Sequence, residues 1–569
     1  MIHWYQHRMW RECLRFLLFF CMQKTCATCA AGFEVTDVES NILSTIKVPE
    51  PEQCPACRRQ QRLLFRNFFY LYHRTCDLTK KKIISMYDED VPFPVYETHE
   101  WWSDRWDALT HGLKWSEDIP FFDQLKTLHE TVPRMSVMNT ASDNTDYCNM
   151  CFYSRNCYLV HGCVNSEDCM YGHIVWRSKD CYDCLYLYQC EWCCECIDCI
   201  GCHSLSYSQD CDNCSDSMFL IRCTGCKDCL GCVGLKNKQY YIFNEKHTKE
   251  EYQKKLSELQ TGSSAIVKIA KEKVRELCSQ EIVKNYHGYN SENVTGDYLY
   301  NSHNIIAGYD LKECEDSAHI ATCESFKDCM DCNFSGTAAE WSYQCLTIEG
   351  HSLISCHTCL KGCANLLLCD NCYACKDCIG CVGLKNKQYC ILNTQYKKEE
   401  YETLKKEIIE HLQSLNEYGT FFPSSMSPFG YNESIAYHYF PLEKEEVLKR
   451  GWKWKEEQEK SEQYLGAKMS IPENIADVTD DITSKIFTCE STGKLYKILP
   501  QELAFYRQRQ LPLPRQCFDA RIAVRFAARN PRVLWDRECA KCSKAIQTTY
   551  APERLETVYC ESCYLAEVY

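Results

Sequence analysis

The 569-residue chain has no apolar run long enough to span a bilayer. It also lacks the Gly-x-Ser-x-Gly elbow, the P-loop, the His-Glu-x-x-His pair and the dinucleotide fingerprint. Nothing therefore marks a nucleophile, a phosphate cradle or an open catalytic metal. A credible export signal is missing as well. Arg8, Arg11 and Arg15 precede an apolar FLLFFCM stretch, but that stretch is short and no small-residue cleavage site follows it. Met22 stands directly before QKTCATC, so residues 1–21 are read as a misassigned start or a disordered extension. The expected compartment is the cytoplasm, where thiols stay reduced and Cys-x-x-Cys pairs signal zinc. The formal net charge of −14 is acidic without being extreme.

Cysteine is abundant, with 47 residues. Nineteen lie between Cys148 and Cys232, and eighteen of these share one class modulo three; Cys194 alone breaks it. A half-buried strand repeats every two residues and a helix every 3.6, so a strict period of three fits neither. Many of the cysteines follow a polar residue on a period of six, as in Asp168-Cys169 and Asp180-Cys181. Multiples of six suggest the coils of a hexapeptide-type β-solenoid, with cysteine stacked inward and Asn or Asp at tight corners. Free buried thiols are the favoured reading; disulfides and metal clusters are the alternatives, and the period does not choose among them.

A second array follows. The segment from Cys226 to Asn244 returns almost unchanged from Cys375 to Asn393, an offset of 149. Its cysteines occupy two classes modulo three, which implies inserted residues at loops or bulges. Both arrays run into charged, helix-patterned sequence, as a solenoid runs into its cap. The expected fold is thus mainly β, a Cys-ladder solenoid in two arrays, residues 139–244 and 291–393, with helical caps. A helical linker is expected over 106–138, a helical insertion over 245–290 and a helix-and-loop linker over 394–480.

Tandem zinc-ribbon modules are expected at both ends, over 22–105 and 481–569. Cys26 and Cys29 are followed by Cys54 and Cys57, the pattern of a four-thiolate tetrahedral site. Adding 463 to these positions and their successors aligns the N-terminal segment with the C-terminal one without a gap. The copies have lost ligands in complementary ways. At the N-terminus the second module reads Cys76, Thr79, Glu97 and Glu100. At the C-terminus the first module reads Cys489, Thr492, Cys517 and Ala520, while the second keeps Cys539, Cys542, Cys560 and Cys563. Two zinc ions are expected, not four.

The stretches GFEVTD, VPEPEQCPACRRQQRLLFRN and CESTGKLYKILPQELAFYR resemble the small probable zinc-binding domain of the trcl type. RECAKCSKAIQTTYAPERLETVYCESCY resembles short Cys-x-x-Cys zinc ribbons. With EWWSDRWD and SPFGYNES, the whole is similar to an uncharacterised bacterial Cys-rich family. The resemblance implies zinc binding and no established activity.

Basic residues flank the knuckles. Residues 58–82 carry a local charge of about +7 and residues 507–537 about +6, against the acidic whole. Arg58, Arg59, Arg62, Arg66, Arg521, Arg525 and Arg529 are candidate phosphate contacts for nucleic acid, RNA above all. Alternatively, they pair inside the protein with the acidic solenoid. The expected function is a non-catalytic scaffold whose solenoid serves as a platform for a protein partner, with no membrane and no small-molecule substrate inferred. A thiol-redox enzyme is the remaining alternative, and no thioredoxin-like context supports it.

Overall fold

The computed structural model describes residues 23–145, 147–259, 261–279, 281–335, 343–346, 354–359, 362–456, 469–554 and 556–568. The reading of residues 1–21 falls outside them.

Both arrays are β-solenoids, and the register of the first sets the coil at 12 residues. Asp143 bridges Arg155, Arg155 bridges Glu167, and Glu167 bridges Lys179, all in parallel. Short strands such as His161–Val164, His173–Trp176, Leu185–Tyr188 and Ile197–Ile200 stack along one side. The coil turns at every third residue. Asn165, Asp168, Tyr171 and Ile174 have φ of 49°, 54°, 58° and 54°. The hexapeptide reading is therefore corrected: each coil has four corners, and the polar-Cys pairs mark a subset of them. The residue after each corner points inward, which is the origin of the period of three.

Left-handed backbone costs an ordinary L-residue about 1–2 kcal/mol. Asn and Asp tolerate it, yet Tyr171, Ile174, Arg177 and Trp192 adopt it too. Hydrogen bonds between coils offset this cost. The corner N–H of Asp168 donates to the Arg155 carbonyl at 3.1 Å, and the preceding Glu167 N–H donates to the Ser178 carbonyl at 3.0 Å. At several positions the inward residue's own N–H meets a side chain of the previous coil. Ser178 N–H donates to Ser166 Oγ at 3.1 Å, and Cys214 N–H donates to Cys202 Sγ at 3.5 Å. In turn Cys202 Sγ donates to the carbonyls of Ile200 and Cys211 at 3.3 and 3.5 Å. An inward side chain that is small and can both give and take a hydrogen bond satisfies this backbone. Cysteine and serine meet that demand, and valine and leucine fill the remaining inward positions such as Val175 and Leu187. Every described cysteine is a free thiol. Cys194, off the period, faces out of the coil into the core shared with the C-terminal module.

The second array opens at Gly288, three residues before the expected boundary. Its first coils are shorter: Glu292 pairs with His303, and a bulge after Val294 restores the 12-residue spacing at Gly296 and Gly308. Gly296 has φ of 133°, and a Cβ there would lie 1.8 Å from the Gly308 carbonyl oxygen. Further on, Met330 bridges Tyr343, Tyr343 bridges Ile354, and Ile354 bridges Leu367. Those spacings of 13, 11 and 13 residues account for the two cysteine classes. Both arrays close alike. Gln239–Ile242 pairs antiparallel with Glu245–Lys246, and Gln388–Ile391 with Thr394–Gln395. The side chains of Asn244 and Asn393 each clamp one valine backbone, Val233 at 2.9 Å and Val382 at 2.8 Å. Charged helices follow at Lys249–Glu258 and Lys398–Ser414 and bury Tyr252 and Tyr401.

The terminal segments fold as equivalent sets of elements. Strands Lys24–Thr25 and Gly32–Phe33 and helix Asp37–Ile46 coincide, after the shift of 463, with Phe487–Thr488, Leu495–Tyr496 and Pro500–Arg509. Each second module pairs with the strand that opens an array. Val95–Tyr96 runs parallel to Arg134–Met135 before array 1, and Thr557–Tyr559 runs parallel to Ile282–Lys284 before array 2. The linker expected over 106–138 thus holds a helix, Phe121–Thr131, and then a strand.

Replacing Cys202 by serine keeps both kinds of hydrogen bond and is expected to cost about 1 kcal/mol or less. Leucine at the same place overpacks the coil and is expected to cost about 1–3 kcal/mol. Denaturation midpoints of the two variants check the order.

Candidate metal centres and the arginine clamps

In the first N-terminal module, Cys26 and Cys29 sit on the turn between two short strands. Cys54 caps the helix Pro55–Leu63, and Cys57 lies in its first turn, with Pro55 fixing the start. The four sulfur atoms all lie within 4.8 Å of one another. Cys29 Sγ and Cys54 Sγ are 3.7 Å apart. Metal–sulfur bonds of about 2.3 Å in a tetrahedron give an edge of about 3.8 Å, so the spacing fits. Backbone N–H groups of Thr28 and Cys54 donate to Cys26 Sγ at 3.4 and 3.2 Å, which favours a thiolate. A hydrogen bond from Cys57 brings the Cys54 thiol down to about 5.

The second C-terminal module repeats this arrangement. Cys539 and Cys542 lie on the turn between Trp535–Glu538 and Ala545–Thr548, and Cys560 and Cys563 flank the start of helix Glu561–Val568. Cys542 Sγ and Cys560 Sγ are 3.8 Å apart, and Cys560 N–H donates to Cys539 Sγ at 3.2 Å. Burial pushes the Cys539 thiol up, but the backbone donors outweigh it and hold it at about 6. Among the described residues, thiol, imidazole and carboxylate atoms gather into metal-sized groups at these two places only.

The other two modules keep the knuckle and lose the ligand set. Thr79 and Glu97 offer their N–H groups to Cys76 Sγ at 3.4 and 3.3 Å. The Glu97 carboxylate instead caps helix Thr98–Trp102 through the N–H groups of His99 and Glu100, and Glu100 pairs with Arg105 at 2.8 Å. In the C-terminal counterpart Thr492 Oγ1 touches Cys517 Sγ at 3.5 Å, Cys489 Sγ touches Ser491 Oγ at 3.4 Å, and Ala520 is buried.

The arginines do not face solvent. Arg58, Arg62, Arg66, Arg521, Arg525 and Arg529 are buried, the most exposed at 7%, and Arg59 is half-buried. The helix Pro55–Leu63 sets Arg58 and Arg62 one turn apart on one face. Both grip Asp331, a corner of array 2, at 2.6 and 3.0 Å, and Arg58 also meets Glu39 at 3.2 Å. The helix Phe518–Ala528 does the same on array 1. Arg521 and Arg525 grip the corner Asp183 at 2.7 and 3.1 Å, and Arg521 meets Glu502 at 3.2 Å. Each first module therefore docks on the array opposite to the one its second module opens. Arg529 bonds Asp198 of array 1 at 2.6 Å and Asp310 of array 2 as well. Arg66 reaches Met150 and Thr358, and Arg59 donates to the Arg532 carbonyl and lies over Phe440. Of the seven candidate nucleic-acid contacts, Arg58, Arg62, Arg521, Arg525 and Arg529 thus pair with carboxylates inside the molecule, and Arg59 and Arg66 meet neutral partners there. Sequence reading missed the acceptors Asp183, Asp198, Asp310 and Asp331. The only signal for them was Asp at a corner position, which marks many other corners too.

Comparison of the chain with protein-family models, curated proteins and solved structures finds no match. The two four-cysteine groups are compatible with zinc-binding modules, and no helix among the described residues is long and apolar enough to cross a membrane.

Charge reversal at Arg525 or Arg529 leaves a buried carboxylate facing a new like charge and is expected to cost at least about 3–5 kcal/mol. Thermal unfolding of each variant checks this. Burial pushes the Glu39 carboxyl up, but His319 and Arg58 outweigh it and hold it at about 2. A carboxyl held below its ordinary value stabilises the fold fully above that value and loses its effect as pH falls toward 2. The loss is about 3 kcal/mol. Glu39→Gln is expected to flatten the stability–pH profile between about pH 5 and pH 2.

Proposed function

We propose that this chain is a zinc-stabilised, non-catalytic scaffold whose double solenoid presents a rigid face to a protein partner in a reducing compartment. The observation that carries the reading is the pair of four-thiolate groups. Each would fill a tetrahedral shell with protein sulfur and leave no position for a substrate. Each also fixes the start of a helix, and in the N-terminal module that helix carries the array-gripping arginines. A metal at Cys26, Cys29, Cys54 and Cys57 thus orders the docking surface itself.

Other features agree with a platform. Array 1 exposes a ladder of alternating charge in which Glu167 pairs with Arg155 and, at 3.8 Å, with Lys179. Repeat folds use such extended faces for binding. A thiol-redox role is disfavoured by the burial of the array thiols and by the carbonyls that accept their hydrogen bonds. Nucleic-acid binding is less favoured, because Arg58, Arg62, Arg521, Arg525 and Arg529 are engaged with internal carboxylates.

Protein purified from a reducing cytoplasm is expected to hold two zinc ions by elemental analysis. Cys54→Ser and Cys560→Ser should each lose one, and Cys76→Ser and Cys489→Ser none. Metal-free native protein, or equal loss from Cys76→Ser, would remove the zinc reading. Affinity capture that recovers no protein partner on wild type relative to a variant with Arg155, Glu167 and Lys179 replaced by alanine would remove the platform.

A further inference from the structure

The two arrays face each other across a cavity of about 340 Å³. Array 1 lines it with Trp176, Tyr186 and Tyr188, and array 2 with Tyr289, Tyr298 and Tyr300. Its shape is fixed from one side. Arg529 ties Asp198 of array 1 to Asp310 of array 2, and its guanidinium lies 4.0 Å from the Tyr186 ring centre and 4.4 Å from that of Tyr298. The slot is therefore a built feature of the docked arrays.

Four carboxylates line the slot, and three are neutralised from within. Asp198 has Arg529, Asp310 has Arg529 and Arg532, and Glu324 has Lys312 at 3.1 Å. Asp212 has no cation within ion-pair distance among the described residues. Its carboxylate accepts a hydrogen bond from the Asn213 side-chain amide at 2.9 Å. Burial pushes this carboxyl up, and its charge adds to burial in pushing up the phenol of Tyr289 across the slot. Lys312 also lines the slot, but its ammonium lies over the Tyr188 ring at 4.5 Å and pairs with Glu324, so the half-buried Asp212 carboxylate, beside Tyr289, is left for a further positive group to match. The faces of tyrosine and tryptophan attract such a group, and a cavity of this size suits a side chain or a small amine rather than a folded partner.

We propose that the slot between the arrays binds an organic cation, an ammonium or guanidinium group, with Asp212 as its counter-ion and the facing tyrosines as its walls. The proposal is independent of the scaffold reading. A lysine or arginine side chain of a partner would join the two, and a free amine would stand alone.

Isothermal titration calorimetry on the full-length protein tests it, with 1,5-diaminopentane, an acetyl-Gly-Arg-Gly-amide peptide and neutral 1,5-pentanediol as probes. At least one cationic probe is expected to bind saturably, weakening with salt, and the diol is expected not to bind. Tighter binding of the peptide assigns the cation to a partner side chain, and tighter binding of the diamine assigns it to a free amine. Asp212→Asn should weaken binding by about 10-fold or more, as loss of a charged hydrogen-bond partner does. Its thermal midpoint should stay unchanged, because Asp212 ties no other element. Asp212→Glu should bind within a few-fold of wild type. No saturable binding of either cation, equal binding of the diol, or unchanged affinity in Asp212→Asn at an unchanged midpoint would overturn the proposal.

Discussion

A buried aspartate held by two arginines is the contact on which the rest of this structure depends. Asp183 and Asp331 each sit at a left-handed corner of a solenoid coil, with φ of 57° and 61°. Each receives two guanidinium groups from a helix that begins at a knuckle cysteine. Burying such a charge is costly unless every partner is in place. The module, the helix and the coil must therefore form together or leave an unpaired ion. Because the first modules dock on the opposite arrays, the two clamps also hold the arrays to one another. Arg529 and Arg532 complete that link and form one side of the aromatic slot.

The coil imposes its own demand. A corner every three residues turns one N–H inward per side, and at positions such as Ser178, Cys190, Cys214 and Cys226 a thiol or hydroxyl of the preceding coil takes it. Cysteine is abundant here for that reason, and the thiols need neither oxidation nor metal to account for their number. Among the described residues, sulfur atoms gather into metal-sized groups only where two knuckles converge, in the two terminal segments. One element thus does two jobs, separated by geometry: stacked thiols share hydrogen bonds along the coil, and paired knuckles gather four sulfur atoms within a metal's reach.

Much of this was legible in the residues. The period of three fixes which side chains point inward, and the shift of 463 identifies both ribbon tandems and the surviving ligand sets. The change of cysteine class in array 2 announces coils of unequal length, as the 13-, 11- and 13-residue spacings around Tyr343 and Ile354 then show. The coil length itself was not legible, because a corner at Tyr171 or Ile174 carries no turn residue; tertiary hydrogen bonding overrides local preference there. The fate of the arginines was equally hidden. Local charge is the same whether Arg525 faces a phosphate or a buried carboxylate, and only the three-dimensional placement of Asp183 decides. The slot at Asp212 joins residues from both arrays and has no linear signature.

The most direct measurement is a double-mutant cycle across one clamp, with Arg521→Met, Asp183→Asn and the pair compared by denaturant unfolding of the full-length protein. The account expects the single variants to be strongly destabilised and the double variant to recover part of the loss, giving a coupling of at least about 2 kcal/mol. Additive losses with no coupling would show that the arginine and the aspartate do not act on one another, and the clamp would not be what holds the modules to the solenoid.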